Sequence, residues 1–157
     1  MQKYFKNKRK KSEQGQSLVE LAISLMVILL VLAGAVDFGR AFFAIIALRD
    51  AAQEGVLYAS INPTDETGIE SRVQTMSDSP IDMSAIPPED IDLSWSDPTH
   101  KCAGFFDVGG TKESYSVTVS VEYDFQFTMP MIQEIFPGGM YHMVIKDTHT
   151  ILAPECT

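Results

Sequence analysis

At the junction Gly15-Gln16-Ser17-Leu18-Val19-Glu20, a basic leader gives way to an apolar run from Leu21 to Val36. The run has sixteen residues and no charge, and with Leu18 and Val19 it extends to nineteen positions interrupted only by Glu20. At about 1.5 Å per helical residue, this segment covers roughly the 30 Å hydrocarbon thickness of a bilayer. The sequence therefore predicts a transmembrane helix over about residues 18–36.

Glu20 places a carboxyl group inside the predicted hydrocarbon layer. An ionisable side chain in a membrane helix is costly unless it faces a partner, and such residues usually mark functional sites. We therefore predict that Glu20 is a functional residue that requires a cationic partner.

The distribution of charge predicts the orientation of this helix. Half of the twelve basic residues precede position 12, whereas positions 50–157 carry eighteen acidic and four basic residues. Positive charges beside a first hydrophobic segment hold that end in the cytoplasm, so the chain after Val36 is predicted to lie outside. No second basic patch accompanies this basic cluster, so it predicts topology and no nucleic-acid partner. The cluster consists of Lys3, Lys6, Lys8, Arg9, Lys10 and Lys11.

Both cysteines, Cys102 and Cys156, fall in the exported part of the chain. An even count in an oxidising compartment favours one disulfide, with free buried thiols or a partial metal site as the alternatives. His100 is two residues from Cys102, and neither cysteine has a second ligand at the spacing of a zinc site. The sequence therefore predicts a disulfide, and no metal or cofactor.

The helical pattern continues beyond the membrane. Asp37 and Arg40 form an i,i+3 pair suited to the membrane interface, and the first proline after them is Pro63. Because the residue before a proline is pushed out of the helical region, Asn62-Pro63 predicts the end of one helix from Gln16 to Ile61, about 70 Å long. Small residues recur every three or four positions along its outer half, which lets another helix or a sheet approach closely. This small-residue stripe comprises Ala44, Ala47, Ala51, Gly55 and Ala59.

The remaining hundred or so residues suffice for one acidic domain with a single core. Apolar residues alternate with polar ones from Ser114 to Phe127, which predicts a long strand with one buried face. Shorter strands are predicted over Ile91–Trp95 and from Tyr141 to about Leu152, with turns at Gly109-Gly110 and Pro137-Gly138-Gly139 and a short helix over Glu66–Met76. An antiparallel sheet with one apolar face must cover it, here on the outer half of the helix. The predicted fold is α+β, with a long N-terminal transmembrane helix that continues outward and packs on a small antiparallel β-sheet.

The predicted organisation has three parts. They are a basic cytoplasmic leader over 1–15, a long helix over 16–62 with an amphipathic outer half, and an extracytoplasmic sheet-containing domain over 63–157.

Three motifs in the first part of the chain resemble the TadE-like family of tight-adherence (Flp) pilus proteins of bacteria. They are Gly15-Gln16-Ser17-Leu18-Val19-Glu20, Asp37-Phe38-Gly39-Arg40-Ala41, and Ala51-Ala52-Gln53-Glu54-Gly55 with Tyr58-Ala59. A looser resemblance extends over Val117-Thr118-Val119-Ser120-Val121 and the last strand. Leu21 stands where major Flp pilins typically carry tyrosine, and the exported domain is far larger than theirs. The resemblance therefore implies a minor pilin or pseudopilin with a pilin-like fold.

The resemblance also implies a processing site and a set of partners. A prepilin peptidase would cut between Gly15 and Gln16, which makes Glu20 the fifth residue of the mature chain. The new α-amine at Gln16 of one subunit can then pair with Glu20 of a neighbour. The implied partners are the peptidase, other pilins and pseudopilins of the same system, the inner-membrane assembly platform and membrane lipid. The implied protein is a single-pass membrane protein that supports adhesion or surface attachment.

Other classes of protein are compatible with parts of the sequence. Ala33-Gly34-Ala35 has the form cut by ordinary signal peptidase, and an uncleaved signal anchor with an unrelated outer domain is a second alternative. The histidines His100, His142 and His149 are scattered, and the motifs of hydrolases, zinc proteases and phosphate loops do not occur, so no enzyme is predicted. An acidic group favours a solvated surface over a calcium site, because its spacing fits no known loop. This group is Asp78, Asp82, Glu89, Asp90, Asp92 and Asp97.

Overall fold

A computed structural model of the chain describes residues 10–97, 105–108 and 111–152. The chain divides into two compact units, Met1–Phe38 and Gly39–Thr157. The described part of the first unit is entirely helical and belongs to α1, which spans Lys10–Ile61. Its apolar side chains from Leu18 to Leu32 are all exposed. Over Gly15–Ile61 this helix is long and apolar enough to cross a membrane, and its most apolar window is not buried by the described chain.

The second unit begins with the outer part of α1 and continues into a short helix, α2 (Glu66–Gln74). The last turn of α1 is closed by the Asn62 amide, which donates to the Tyr58 carbonyl at 2.9 Å. Pro63 follows and cannot donate a backbone hydrogen bond, so the helix ends there. Asp65 caps α2 because its Oδ1 accepts a hydrogen bond from the Gly68 amide at 3.1 Å. Two short 3₁₀ helices, Met83–Ala85 and Pro88–Asp90, lead to the sheet.

A three-stranded antiparallel sheet forms the other half of the second unit. Its strands lie in the order β1 (Ile91–Trp95), β4 (Ser116–Gln126) and β5 (Met140–Thr150). In the register, Val121 of β4 lies opposite Ile91 on one side and Ile145 on the other. The predicted α+β class, with a long helix followed by a small antiparallel sheet, is confirmed.

A second, two-stranded sheet was not predicted. It pairs β2 (Phe105–Val108) with β3 (Thr111–Ser114) in antiparallel register. The predicted long strand from Ser114 is thus divided, since Ser114 ends β3 and β4 begins at Ser116. The predicted turn at Gly109-Gly110 lies between these strands but outside the described residues.

The core of the second unit lies between α1, α2 and one face of β4. Val117, Val119 and Val121 are completely buried on that face, together with Ile69 and Val73 of α2. Because side chains alternate along a strand, these three valines share one surface of the sheet. The alternation of apolar residues in the sequence therefore corresponds to the face that packs on helix.

The connection from β4 to β5, residues 127–139, is a structured loop. It contains a one-turn helix, α3 (Pro130–Gln133). The side-chain amide of Gln133 donates to the Phe127 carbonyl at 2.6 Å and closes the loop. Gly138 and Gly139 both have φ of +71°, a conformation that side-chain-bearing residues rarely adopt. This is the Pro137-Gly138-Gly139 turn expected from the sequence.

Candidate processing and assembly segment

Gly15 and Gln16 both lie in α1 and are exposed. Helix α1 begins at Lys10, six residues before the predicted start at Gln16. A protease binds its substrate as extended backbone, so the helical turns around Gly15 must unwind before the bond after Gly15 can be cut. Glycine lowers the cost of that unwinding because it is less favourable in a helix than alanine by about 0.8–1 kcal/mol. The junction is thus exposed and helical in the described part of the chain.

Glu20 lies one helical turn beyond Gln16 and is also exposed. It lines a shallow surface with Gln16, Val19, Ile23 and Ser24. Across the described ranges 10–97, 105–108 and 111–152, no side chain forms an ion pair with Glu20. A group on a second molecule can therefore reach this carboxylate without displacing a partner within the described chain.

Arg40 joins the first turn of α1 in the second unit to the far end of β4. Its guanidinium donates to Thr128 Oγ1 and lies 5.5 Å from the ring centroid of Phe125. A cation over an aromatic face contributes about 0.5–1 kcal/mol at an exposed site. Asp37 is 2% exposed, and its pairing with Arg40 stays a prediction.

The small-residue stripe is buried within the second unit. Ala44, Ala47, Ala51 and Ala59 are all buried apolar residues of the core, and Gly55 is buried among them. A Cβ built on Gly55 would lie 2.6 Å from Val73 Cγ2 and 3.4 Å from Val119 Cγ1. The neighbours that approach Gly55 closely are thus α2 and the sheet of the same chain.

The outer part of α1 has a second apolar face that the sequence analysis did not distinguish from the first. Phe42, Phe43, Ile45 and Ile46 of this segment are exposed. The signal was present in the sequence, because these residues alternate with the small-residue stripe along the same helix. Two apolar faces on one helix indicate one internal contact and one surface available to another molecule.

A polar cluster joins α1 to the start of α2. The hydroxyl of Tyr58 donates to Asp65 Oδ2 at 2.8 Å, which raises the pKa of Tyr58 and lowers the pKa of Asp65. Arg72 lies 5.1 Å from the Tyr58 ring centroid and 3.6 Å from Glu54 Oε1. These exposed contacts fix the corner between the helices and suggest no chemistry.

The other described polar cluster lies on the sheet face opposite the core. His142 Nδ1 is 2.9 Å from Asp124 Oδ1, and Nε2 is 3.5 Å from Glu122 Oε2. The hydrogen bond to Asp124, with the nearby negative charges, raises the pKa of His142. His149 pairs in register with Val117, so it lies on the other face of β5 from His142.

Several predicted residues lie outside the described part of the chain. They are Cys102, Cys156 and His100, so the disulfide stays a prediction. Within the described residues, no group of three or more His, Cys, Asp or Glu side chains is placed to hold a metal ion. Asp82, of the acidic group, accepts hydrogen bonds from the Ser84 amide and hydroxyl and caps a 3₁₀ helix.

Comparison with known proteins gives one match. The model of a family described as TadE-like protein matches residues 15–57. No curated protein and no solved structure matches the chain. The matched segment contains the Gly15 junction, Glu20, Arg40 and most of the small-residue stripe. Over residues 15–57 the chain is therefore TadE-like, which confirms the family resemblance predicted from its sequence.

Proposed function

We propose that this protein is a minor pilin or pseudopilin of a tight-adherence pilus system. The TadE-like family suggests association with such pili and a structural role. The observation that carries the finer proposal is the junction itself. Within the family match, Gly15 and Glu20 are both exposed, and Glu20 has no ion-pair partner in the described chain. These features suit a subunit that is cut and then paired with a neighbour.

The proposed orientation places the N-terminus in the cytoplasm and the second unit outside the membrane. The six basic residues before position 12 support this orientation through the positive-inside rule. A prepilin peptidase at the membrane would remove the leader after Gly15. Cleavage removes positive charges that hold the leader in the cytoplasm and exposes the α-amine of Gln16, so it prepares the helix for extraction from the membrane.

Assembly would then use charge pairing and helix packing. The Gln16 amine and Glu20 lie about one turn apart on α1, so a neighbouring helix shifted along the axis can match amine to carboxylate. Pairing removes the penalty of an isolated charge in a low-dielectric environment. The exposed apolar face with Phe42, Phe43 and Ile46 offers packing surface outside the membrane. The partners are other pilins and pseudopilins of the system and the inner-membrane assembly platform, and the proposed outcome is surface attachment.

The mature N-terminus tests this function. We expect the protein purified from its native cell to begin at Gln16, as measured by intact mass and N-terminal peptide mass spectrometry. Loss of the leader is expected to be complete in any fraction associated with pili. A first residue at Val36 or later would instead identify an exported protein cut by ordinary signal peptidase, and a retained leader would identify a signal anchor.

Replacing Glu20 with alanine tests the charge-pairing role. We expect the variant to be inserted and cut normally, but to co-purify with the other pilins at least about tenfold less, because loss of one pair worth 1.4 kcal/mol or more has that effect. The measurement is the ratio of this protein to partner pilins, by quantitative mass spectrometry of affinity-purified complexes.

Ser24→Ala is the matched control for Glu20→Ala. Ser24 lies on the same helix surface one turn further along, and its replacement removes a polar group without removing a charge. Its co-purification with partner pilins is expected to equal that of the parent. If Glu20→Ala also co-purified at the parent level, Glu20 would have no role in pairing.

A further inference from the structure

The β4–β5 loop, residues 127–139, is unusually apolar for a surface loop of this acidic chain. It contains one charged residue, Glu134, among thirteen positions. Two of its large apolar side chains are prominently exposed, Met131 at 61% and Ile135 at 74%. Neighbouring exposed apolar residues at the start of β5, Met140 and Tyr141, extend the surface. Several large apolar side chains exposed on one loop and the strand that follows it indicate an interaction site.

This loop is held in one shape by contacts within it. The Phe127 ring stacks on Phe136 at 5.0 Å between centroids, and Phe136 meets Tyr141 edge to face at 5.7 Å. Gln133 closes the loop on the Phe127 carbonyl. The aromatic side chains of the loop pack against one another and form its small core. Met131 and Ile135 are not part of that core and stay exposed. The exposed apolar side chains are thus presented on an ordered support.

The loop lies at the end of the second unit where the chain enters it. The unit begins at Gly39, and the guanidinium of Arg40 contacts Thr128 at the start of the loop and Phe125 just before it. Three residues separate Arg40 from Val36, the last residue of the apolar run. The headgroup layer on each side of the hydrocarbon is about 5–8 Å thick. Because so few residues intervene, the chain enters the second unit close to this layer when residues 18–36 span a bilayer.

We propose that the β4–β5 loop inserts Met131 and Ile135 into the outer interface of the membrane. The occupant of the patch is the lipid surface, because the loop begins beside the helix residue that follows the membrane span. Tyr141, which is exposed, suits the interfacial layer, where the amphipathic rings of Tyr and Trp are enriched. The contact rests on the membrane-spanning part of the proposed function and not on pilus assembly. Before assembly, this contact between the loop and the lipid attaches the second unit to the bilayer at a second point, in addition to α1.

Fluorescence quenching by brominated lipid tests this contact. The full-length chain is reconstituted in phosphatidylcholine vesicles with or without bromine on the acyl chains, and a tryptophan is introduced by Ile135→Trp. We expect brominated lipid to remove at least about half of the emission added by this tryptophan, because bromine quenches on contact and interfacial side chains reach the acyl boundary. Native Trp95 supplies an internal reference. It pairs with Val117, eight residues from Phe125 along β4, or roughly 27 Å at the rise of a strand.

Two further variants make the result decisive. Leu152→Trp is the matched control, since Leu152 is 66% exposed and its amide donates to the Ser60 carbonyl near the other end of α1. Its tryptophan is expected to be unquenched. Leu25→Trp, in the apolar run, is expected to be strongly quenched. The loop contact alone would be overturned if Leu25→Trp were quenched while Ile135→Trp were quenched no more than Leu152→Trp. It would also be overturned if the emission of Ile135→Trp changed with protein concentration and not with bromine on the lipid. An unquenched Leu25→Trp would overturn the membrane span and the loop contact together.

Discussion

Replacing Gly15 with leucine is expected to leave the chain uncut, with the basic leader still attached. Two physical effects act in the same direction. Leucine adds a side chain at the residue that donates the scissile carbonyl, where the proposed peptidase must approach the backbone closely. Leucine also favours the helix over glycine by roughly 0.8 kcal/mol, so the turns around the junction unwind less readily. The measurement is the intact mass of the protein in the membrane fraction of the native cell.

Two other variants separate these effects from a general loss of the protein. Gly39→Leu makes the same change in the same helix, away from the junction, and should be cut like the parent. Gly15→Ala favours the helix as strongly as leucine does but adds a single methyl group, so residual cleavage of this variant would identify side-chain size as the dominant effect. A mature chain beginning at Gln16 in the Gly15→Leu variant would contradict a peptidase that requires a small residue here.

Replacing Gly55 with leucine is expected to destabilise the second unit by at least about 3 kcal/mol, at the upper end of the usual cost of overpacking a core. A Cβ at this position already lies 2.6 Å from Val73 Cγ2, and leucine adds three more carbons in the same direction. Val73 is β-branched and fully buried, so it has few rotamers with which to yield. Either α2 or the sheet must move away from α1.

Hydrogen exchange of β4 amides in the reconstituted full-length protein measures this loss. Gly39→Leu is again the matched control, because the helix propensity gained is the same while no described atom lies within 4 Å of a Cβ at Gly39. The difference in exchange free energy between the two variants therefore isolates packing at position 55. Equal protection of β4 in both would show that the small-residue stripe tolerates a large side chain and that the contact with Val73 is not a tight one.

Much of the architecture could be predicted from local patterns in the chain. The end of α1 at Ile61 follows from Asn62-Pro63, because the restriction that proline imposes acts on its immediate neighbour. The strand β4 follows from strict alternation over more than ten residues. By contrast, β2 and β3 are four residues each, too short for a periodic signal. The early start of α1 at Lys10 was missed because the polar leader has no apolar period, although nothing in it breaks a helix.

The sequence by itself determined the apolar run, the lone carboxylate at Glu20, the TadE-like resemblance over residues 15–57 and the long helix. Each of these depends on residues close together in the chain, where composition and spacing express the physics directly. The tertiary structure alone decided which face of α1 is covered and which remains exposed. It also placed Thr128 against Arg40, 88 positions away, and so located the apolar β4–β5 loop at the end where the chain enters the second unit. Such contacts depend on strand register and on packing between distant segments, which no local pattern encodes.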